Sequence, residues 1–271
     1  MTSLAPDVSA RLAATVILLR DAAAGVEVWL LRRVRGMSFA GGASVFPGGR
    51  VDLADFADPR VLSDARRLAE RFGCSPAEAG ASTMAAIRET FEETGVLLTR
   101  PAYDVGAAEV GGAVVGGAAL QDQRRRVEAH ELTFTAVLSA LGVAVDAELI
   151  RAWTHWITPV GEPRRFDTHF YVAALPAGAT AYPETTEASD AGWITPAAAL
   201  AEHERGERPM LPPTLVTLAE LTAFASVADV LAASADRSLA AVVPELITTA
   251  DGLLAARLPD GRTFVLQPPG V

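Results

Sequence analysis

Three carboxylates lie close together in the segment RETFEETG, which runs from Arg88 to Gly95. On a helix, residues three and four positions apart share one face, so Glu89, Glu92 and Glu93 would lie side by side. Like charges at these spacings cost an isolated helix about 0.2–0.5 kcal/mol per pair, so helix stability alone does not favour them. We therefore expect a cation to balance their charge.

The ligand type indicates which cation this would be. Carboxylate oxygens on one helix face suit Mg²⁺ or Mn²⁺, which are hard ions that keep water ligands for use with substrate phosphates. A solvated acidic face is the alternative interpretation of any run of three carboxylates. The sequence upstream of the helix bears on the choice between these two interpretations.

A glycine-rich segment, GMSFAGGASVFPGGRVD, lies upstream of the acidic segment. Its composition predicts a loop with a short strand, where the backbone can approach a ligand closely. Two β-rich runs, TVILLR and VEVWLLRR, precede it and predict a hairpin that enters a sheet. The segment RVLSDARRLAERFG has helical periodicity and a stop at Gly73. The acidic helix is then expected to start at Ser75 and Pro76, to break near Gly80 and to end at Gly95.

The rest of the chain predicts more helices and the remainder of the sheet. Helices are expected over Asp122–Glu131, Phe134–Leu141, Pro196–Arg205 and the segment PPTLVTLAELTAF, and strands in WTHWITP, RFDTHFYVAAL and AGWIT. The segment LLAARLPDGRTFVLQ predicts a late hairpin. Without a repeat or a clear linker, residues 1–271 are predicted to form one domain.

Composition excludes several classes of function. A net charge of −10 and a pI near 4.9 argue against nucleic acid and acidic membranes as partners, although local arginines could bind a phosphorylated small molecule. The single cysteine, Cys74, excludes an intrachain disulfide and indicates a reducing compartment. The apolar run Leu12–Leu19 is too short for a membrane span. The absence of lysine and asparagine, whose codons are A-rich, favours a GC-rich bacterium, and we expect a cytoplasmic protein.

The acidic segment resembles the motif of the Nudix hydrolases, G-x5-E-x7-R-E-U-x-E-E-x-G-U, where U is a bulky aliphatic residue. The matching positions of RETFEETGV are Arg88, Glu89, Glu92, Glu93, Gly95 and Val96, with Thr90 at the first aliphatic position. In FPGGRVDLAD, Gly49 matches the first glycine and Asp55 stands where the family has glutamate. Residues 56–87 separate Asp55 from Arg88, against seven residues in the standard motif.

An insertion at about 56–80 therefore splits the motif. The Nudix branch that includes the mammalian peroxisomal coenzyme A diphosphatase carries an insertion at this point. The segments LLRRVRGMSFAGGASVFPGG, RFDTHFY and LPPT are also similar to that branch. The resemblance implies an α/β fold, an α/β/α sandwich around a mixed sheet, here with a helical insertion and extra C-terminal helices from about 216 to 271.

The resemblance also implies the site and the reaction. Glu89, Glu92, Glu93 and the Gly49 carbonyl would bind Mg²⁺ or Mn²⁺, and Arg88 would orient the glutamates. The substrate would be a small-molecule nucleoside diphosphate derivative, with coenzyme A or acyl-CoA preferred and ADP-ribose, NADH or a nucleotide sugar as alternatives. Glu89 is one candidate for the general base, and the later acidic loop offers three others, Glu184, Glu187 and Asp190. A non-catalytic nucleotide-binding regulator and a capped-RNA hydrolase are further alternatives.

Arginines near the motif are candidates for phosphate binding, because guanidinium makes paired hydrogen bonds to phosphate. They are Arg32, Arg33 and Arg35 beside the glycine-rich segment, and Arg164 with Arg165 before a later strand. Aromatic residues of the strands and all four histidines are expected to be structural. The apolar stripe of the insertion, Val61, Leu62, Leu68 and Phe72, needs a cover, either the C-terminal helices or a second subunit of a homodimer.

Overall fold

The structure is a computed structural model that describes residues 9–36, 40–57, 65–101, 118–185 and 188–266. Its strands are β1 (Arg11–Ala22), β2 (Gly25–Arg33), β3 (Ser44–Val45), β4 (Gly48–Arg50), β5 (Thr99–Pro101), β6 (Val143–Val145), β7 (Ile150–Ile157), β8 (Phe166–Ala174), β9 (Ala188–Ile194), β10 (Glu245–Thr248), β11 (Leu254–Arg257) and β12 (Thr263–Val265). Its α-helices are α1 (Ala65–Phe72), α2 (Pro76–Thr94), α3 (Ala118–Glu128), α4 (Phe134–Leu141), α5 (Pro196–Glu204), α6 (Pro212–Leu221) and α7 (Val227–Ala233). Short 3₁₀ helices cover Leu53–Ala57, Ala147–Leu149 and Ser234–Asp236.

The central sheet is mixed. Its strand order is β3-β2-β1-β8-β7, with β4 paired to β1 and β9 paired to β2. Strands β1 and β8 are parallel and the other pairs of this sheet are antiparallel. The first half of β1 therefore lies between β4 on one side and β8 on the other, so the glycine-rich segment is held beside the centre of the sheet.

Apolar side chains form a core on each face of this sheet. One core includes Met84, Ile87 and Phe91 of α2 together with residues of α3 and α4. The other includes Trp153 of β7 and Leu218 of α6, together with residues of α5 and α7. Helices on both faces of a mixed sheet make an α/β/α sandwich, which confirms the predicted fold class.

Helix α2 has the predicted ends. The Ser75 side chain accepts from the Glu78 N–H while the Glu78 carboxylate accepts from the Ser75 N–H, so a capping box closes the first turn. Gly95 ends the helix at φ 73°, a left-handed conformation in which glycine is unstrained. The predicted break at Gly80 is wrong, because the helix is continuous from Pro76 to Thr94. Burial of this turn against its neighbours outweighs the helix penalty of glycine, about 1 kcal/mol.

The described part of the insertion consists of residues 56–57, at the end of the first 3₁₀ helix, and residues 65–80, which include α1 and the first turn of α2. Ala65, Ala69 and Phe72 of α1 are buried. Arg71 donates hydrogen bonds to the carbonyls of Ser234 and Arg237, at 3.2 and 3.1 Å, so α1 is fastened to the segment that follows α7. The chain's own residues thus cover α1, which removes the argument for a homodimer from this part of the apolar stripe. Val61 and Leu62 lie outside the described residues.

The C-terminal region contains more than the predicted helices. The predicted hairpin is present, with β11 and β12 antiparallel, but β10 adds a third strand that was not predicted. This small sheet contributes Leu258 and Phe264 to one core of the domain. In the part of the chain that the structure describes, no helix is both long and apolar enough to span a bilayer.

Candidate active site on the acidic helix

Arg88 lies at the centre of the acidic group, and its side chain is almost completely buried. Its Nε and Nη2 atoms donate to the two carboxylate oxygens of Asp55, at 3.0 and 2.9 Å. Its Nη1 atom donates to Glu89 at 2.9 Å and to Glu92 at 3.0 Å, and Nη2 also donates to the Arg50 carbonyl at 3.0 Å. One guanidinium therefore holds three carboxylates in fixed positions, and the group keeps an excess of negative charge.

Strand β4 supplies the second element of the site. The Gly48 N–H donates to the Glu93 carboxylate at 2.7 Å. A Cβ atom at position 49 would overlap the Glu89 carboxylate, so only glycine allows Glu89 to come this close to the backbone. The pairing of β4 with β1 fixes both glycines, which brings Glu89 and Glu93 against the glycine-rich segment, as the resemblance implies.

Asp55 takes part in the group although it is one methylene shorter than glutamate. Asp55 lies in the 3₁₀ helix Leu53–Ala57, and its carboxylate also accepts a hydrogen bond from the Asp52 N–H at 2.8 Å. Together with the paired bond from Arg88, this satisfies the buried carboxylate. The insertion therefore leaves the two halves of the motif in contact.

Burial and neighbouring charges shift the pKa values of Arg88 and Glu92 in opposite directions. Burial alone would lower the pKa of the Arg88 guanidinium, but its hydrogen bonds to Asp55 and the charges of Glu89 and Glu92 raise it above the usual arginine value. Burial raises the pKa of Glu92, and the Arg88 charge offsets only part of that rise. A buried carboxylate group with too little positive charge suits a hard divalent cation.

Arg124 is part of the site but was not predicted. Its side chain is 2% exposed. Nε donates to the Glu92 carbonyl at 2.8 Å, and Nη2 donates to the Glu184 carbonyl at 2.7 Å. Arg124 thus links the end of the acidic helix to the later acidic loop. The triple arginine in QDQRRRVE was the available signal, but it does not show which arginine faces inward.

The candidate bases of the acidic loop have different positions. Glu184 is described, and its carbonyl is held by Arg124. Asp190 is exposed on β9, opposite Arg32 of β2. Glu187, which we predicted as a catalytic residue, lies outside the described residues.

The arginines predicted to bind phosphate share one end of the sheet with Gly49. Strand β2 is antiparallel to β1 and β8 is parallel to it, so the end of β2 and the start of β8 are at the end where β1 begins. The residues at this end are Arg32 and Arg33 of β2, Arg35 after it, and Arg164 before β8. Arg32 donates to the Glu207 carbonyl at 3.1 Å, and Arg35 and Arg164 are exposed. They come from strands on opposite sides of β1.

The aromatic and histidine residues were expected to be structural. Trp153, Trp156 and Tyr171 are buried in the two cores, as that expectation requires. His155 and His169, however, face each other across β7 and β8 and converge with Asp167, a juxtaposition that sequence spacing did not predict. Their separation of fourteen positions in the chain carries no ligand signal, because strand register alone brings them together.

Comparisons with known proteins identify the family of this chain. A family model described as the NUDT19 Nudix domain matches residues 73–221, which include the acidic helix. Acyl-coenzyme A diphosphatase NUDT19 of Gallus gallus is 31% identical over 268 residues, covering 84% of this chain and 70% of that protein. The protein of the same name from Homo sapiens is 30% identical over 265 residues, covering 86% and 71%.

A crystal structure of a NUDIX hydrolase from Alicyclobacillus acidocaldarius has a similar fold. Its TM-score is 0.66 at 27% identity, and the match covers 83% of this chain and 96% of that one. Nudix hydrolases use divalent metal ions, in agreement with the excess of carboxylates around Arg88. The fold, the split motif and these matches lead to one conclusion: the chain belongs to the Nudix hydrolases and, within them, to the family of the NUDT19 Nudix domain.

Proposed function

We propose that this protein hydrolyses the diphosphate linkage of coenzyme A or acyl-CoA, giving 3',5'-ADP and phosphopantetheine or its acyl derivative. The observation that carries the proposal is the complete carboxylate group around Arg88, in a chain that is similar over most of its length to proteins named acyl-coenzyme A diphosphatase. An intact group argues against a non-catalytic regulator, because a protein that only bound a nucleotide would not need it. The net charge of −10 argues against a capped-RNA substrate.

We propose Mg²⁺ or Mn²⁺ as the cofactor, held by Glu89, Glu92, Glu93 and the Gly49 carbonyl. When bound, such an ion shields phosphate oxygens and lowers the pKa of a coordinated water. The exclusively oxygen donors support a hard cation at this position.

The chain's own residues then have distinct roles in the reaction. A carboxylate accepts a proton from the attacking water, the water oxygen bonds to one phosphorus, and the bond to the bridging oxygen breaks, so the second phosphate leaves with the electron pair. Glu89 and Glu187 are the proposed bases. Arg88 fixes the glutamates, as its bonds to Glu89 and Glu92 support. Arg32, Arg33, Arg35 and Arg164 are proposed phosphate contacts, because all four come from the same end of the sheet as Gly49.

A substrate panel tests the proposal. Purified enzyme with Mg²⁺ is incubated with coenzyme A, acetyl-CoA, NADH, ADP-ribose and a nucleotide sugar, and the products are identified by liquid chromatography with mass spectrometry. We expect equal amounts of 3',5'-ADP and phosphopantetheine from coenzyme A. A preference for ADP-ribose of more than about tenfold in kcat/KM, or about 1.4 kcal/mol, would reject coenzyme A as the substrate and leave the reaction class intact. No turnover of any member would reject the reaction class.

The bacterial cytoplasm is the proposed location. The single cysteine and the absence of lysine and asparagine support it, as argued from composition. Immunoblots of fractionated source cells test this proposal, which predicts the protein in the fraction of a cytoplasmic marker.

A further inference from the structure

A second group of possible metal ligands lies on strands β7 and β8. His155, Asp167 and His169 each offer one ligand atom, and these atoms all lie within 4.8 Å of one another. The Nε2 atom of His155 is 2.5 Å from Asp167 Oδ1, and the Nε2 atom of His169 is 3.9 Å from the same oxygen. A tetrahedral Zn²⁺ with bonds of about 2.0–2.2 Å has ligand atoms about 3.3 Å apart, which falls between these separations.

The surroundings hold the His169 ring in one orientation. Its Nδ1 atom is hydrogen-bonded to Ser82 Oγ of α2 at 2.9 Å, which leaves Nε2 directed towards Asp167. Ser82 is itself hydrogen-bonded to Tyr171 Oη at 2.7 Å. The Phe72 ring of α1 stacks on one face of the His169 imidazole, with ring centroids 3.9 Å apart. Metal-binding histidines are typically oriented in this way, by a hydrogen bond to the nitrogen that does not bind the metal.

One side of this group of ligand atoms is open to solvent. The Asp167 side chain is 32% exposed, whereas the side chains of His155 and His169 are 6% and 1% exposed. An ion could therefore enter past Asp167 and keep a position open to solvent.

We propose that His155, Asp167 and His169 form a binding site for a Zn²⁺-class transition metal, separate from the acidic helix. Two imidazoles and one carboxylate are ligands that Zn²⁺ prefers, whereas Mg²⁺ prefers oxygen alone. The site is separate because His169 pairs with Ala14 of β1, and Ala14 pairs with Gly49 of β4. Two strand spacings, about 10 Å, therefore lie between His169 and Gly49.

The proposed site has a structural consequence. His169 contacts Phe72 of the insertion and Ser82 of the acidic helix, so an ion bound here would fasten both helices to the sheet. Zn²⁺ is therefore expected to raise the melting temperature of the metal-free protein, and Mg²⁺ is not expected to replace it at this site.

Zinc binding in the presence of excess Mg²⁺ tests the proposal. Chelator-treated full-length protein is kept in millimolar Mg²⁺ to occupy the acidic helix, and Zn²⁺ is titrated in competition with a chromogenic indicator. We expect one zinc per chain for the wild type and for His203→Gln, a control histidine on α5 outside the group. We expect at least tenfold weaker binding for His155→Gln and Asp167→Asn. Glu92→Gln/Glu93→Gln is expected to keep this site.

Two outcomes of this titration would reject the proposed site. Absence of stoichiometric zinc binding by the wild type, or equal affinity in Asp167→Asn and the wild type, would overturn the proposal. Asp167→Asn keeps the size of a partly exposed side chain, so it serves if the histidine variants do not fold. Co²⁺ spectra give an independent readout: intense visible d–d bands are expected for the wild type and absent for His155→Gln.

Discussion

Two groups of ionisable side chains lie on the same face of the sheet and differ in how their charge is balanced. Around Arg88, three carboxylates surround one guanidinium, and every possible metal donor is oxygen. Around His169, two imidazoles meet one carboxylate, and the Phe72 ring packs against both imidazoles. The first group has an excess of negative charge, whereas the second has nitrogen donors and little net charge. The two groups are therefore expected to select different ions.

The difference also concerns how each group is built. The glutamates of the first lie three and four positions apart on one helix, so helix geometry alone brings them together. In the second, Asp167 and His169 lie two positions apart on β8, and His155 meets them only through the register of β7 with β8. The arrangement of the glutamates thus requires only that α2 forms, whereas the arrangement of the second group requires the whole sheet to fold.

The largest expected effect comes from the acidic helix. Glu92→Gln or Glu93→Gln should lower kcat by on the order of a hundredfold or more, because removal of one ligand charge weakens transition-state stabilisation by about 3 kcal/mol. Steady-state kinetics at saturating Mg²⁺ measure the effect. Unfolding in urea without metal should show a fold as stable as the wild type or more stable, because repulsion among the carboxylates is relieved. Wild-type kcat in either variant would contradict the role given to these residues.

The alkylation rate of Cys74 measures how far its thiol is desolvated beside the group of His155, Asp167 and His169. Burial raises the pKa of its thiol to about 11, with the charges of Glu78 and Asp167 adding to the rise. Near pH 8 the thiolate fraction is therefore about a hundredfold lower than for an ordinary thiol, and alkylation by iodoacetamide should be slower by a similar factor. The rate should increase as pH rises towards about 11. Denatured protein is the control, and equal rates in both states would show that the thiol is not desolvated.

Gly49→Ala tests the contact between β4 and the acidic helix. The new Cβ would overlap the Glu89 carboxylate and displace it, so we expect kcat to fall by about tenfold, or about 1.4 kcal/mol. Gly192→Ala is the matched control, because it lies in β9 of the same sheet and its Cβ would meet no atom within 4 Å. A loss of activity in the control as large as in Gly49→Ala would point to sheet stability as the cause.

Arg124→Gln tests the link between the helix and the acidic loop. It leaves the Glu92 and Glu184 carbonyls without their donor, which should cost about 1–3 kcal/mol of unfolding free energy and lower kcat several-fold. Arg125→Gln on the same helix is the control, since that side chain is 66% exposed. Equal stability of the two variants would show that the buried hydrogen bonds of Arg124 contribute little.

The smallest expected effect concerns the insertion. Arg71→Gln removes the donor to the Ser234 and Arg237 carbonyls, and we expect a loss of about 1 kcal/mol in stability with kcat nearly unchanged. Urea unfolding compares it with Arg66→Gln, an exposed position on α1. A large fall in kcat with unchanged stability would instead assign the insertion a role in the reaction.

Local sequence signals predicted much of this structure. Ser75, Pro76 and Gly95 correctly marked the ends of α2. Helix α4 ends at Leu141, as predicted, with Gly142 as its C-cap. Helix ends can be predicted in this way because a cap depends on a few neighbouring residues. The break at Gly80 was wrong because tertiary packing overrode helix propensity. The role of Arg124 was missed because it depends on contacts between segments far apart in the chain. The contact between His155 and His169 was not predicted for the same reason.

The central claim is that the glutamates of α2 bind the divalent ion on which hydrolysis depends. Titration of Mn²⁺ followed by electron paramagnetic resonance tests it directly, on the wild type and on Glu92→Gln/Glu93→Gln, with coenzyme A hydrolysis assayed in the same samples. We predict that the double variant loses both the high-affinity Mn²⁺ site and turnover while it remains folded. A double variant that binds Mn²⁺ as tightly as the wild type, or that hydrolyses coenzyme A at the wild-type rate, would contradict the claim.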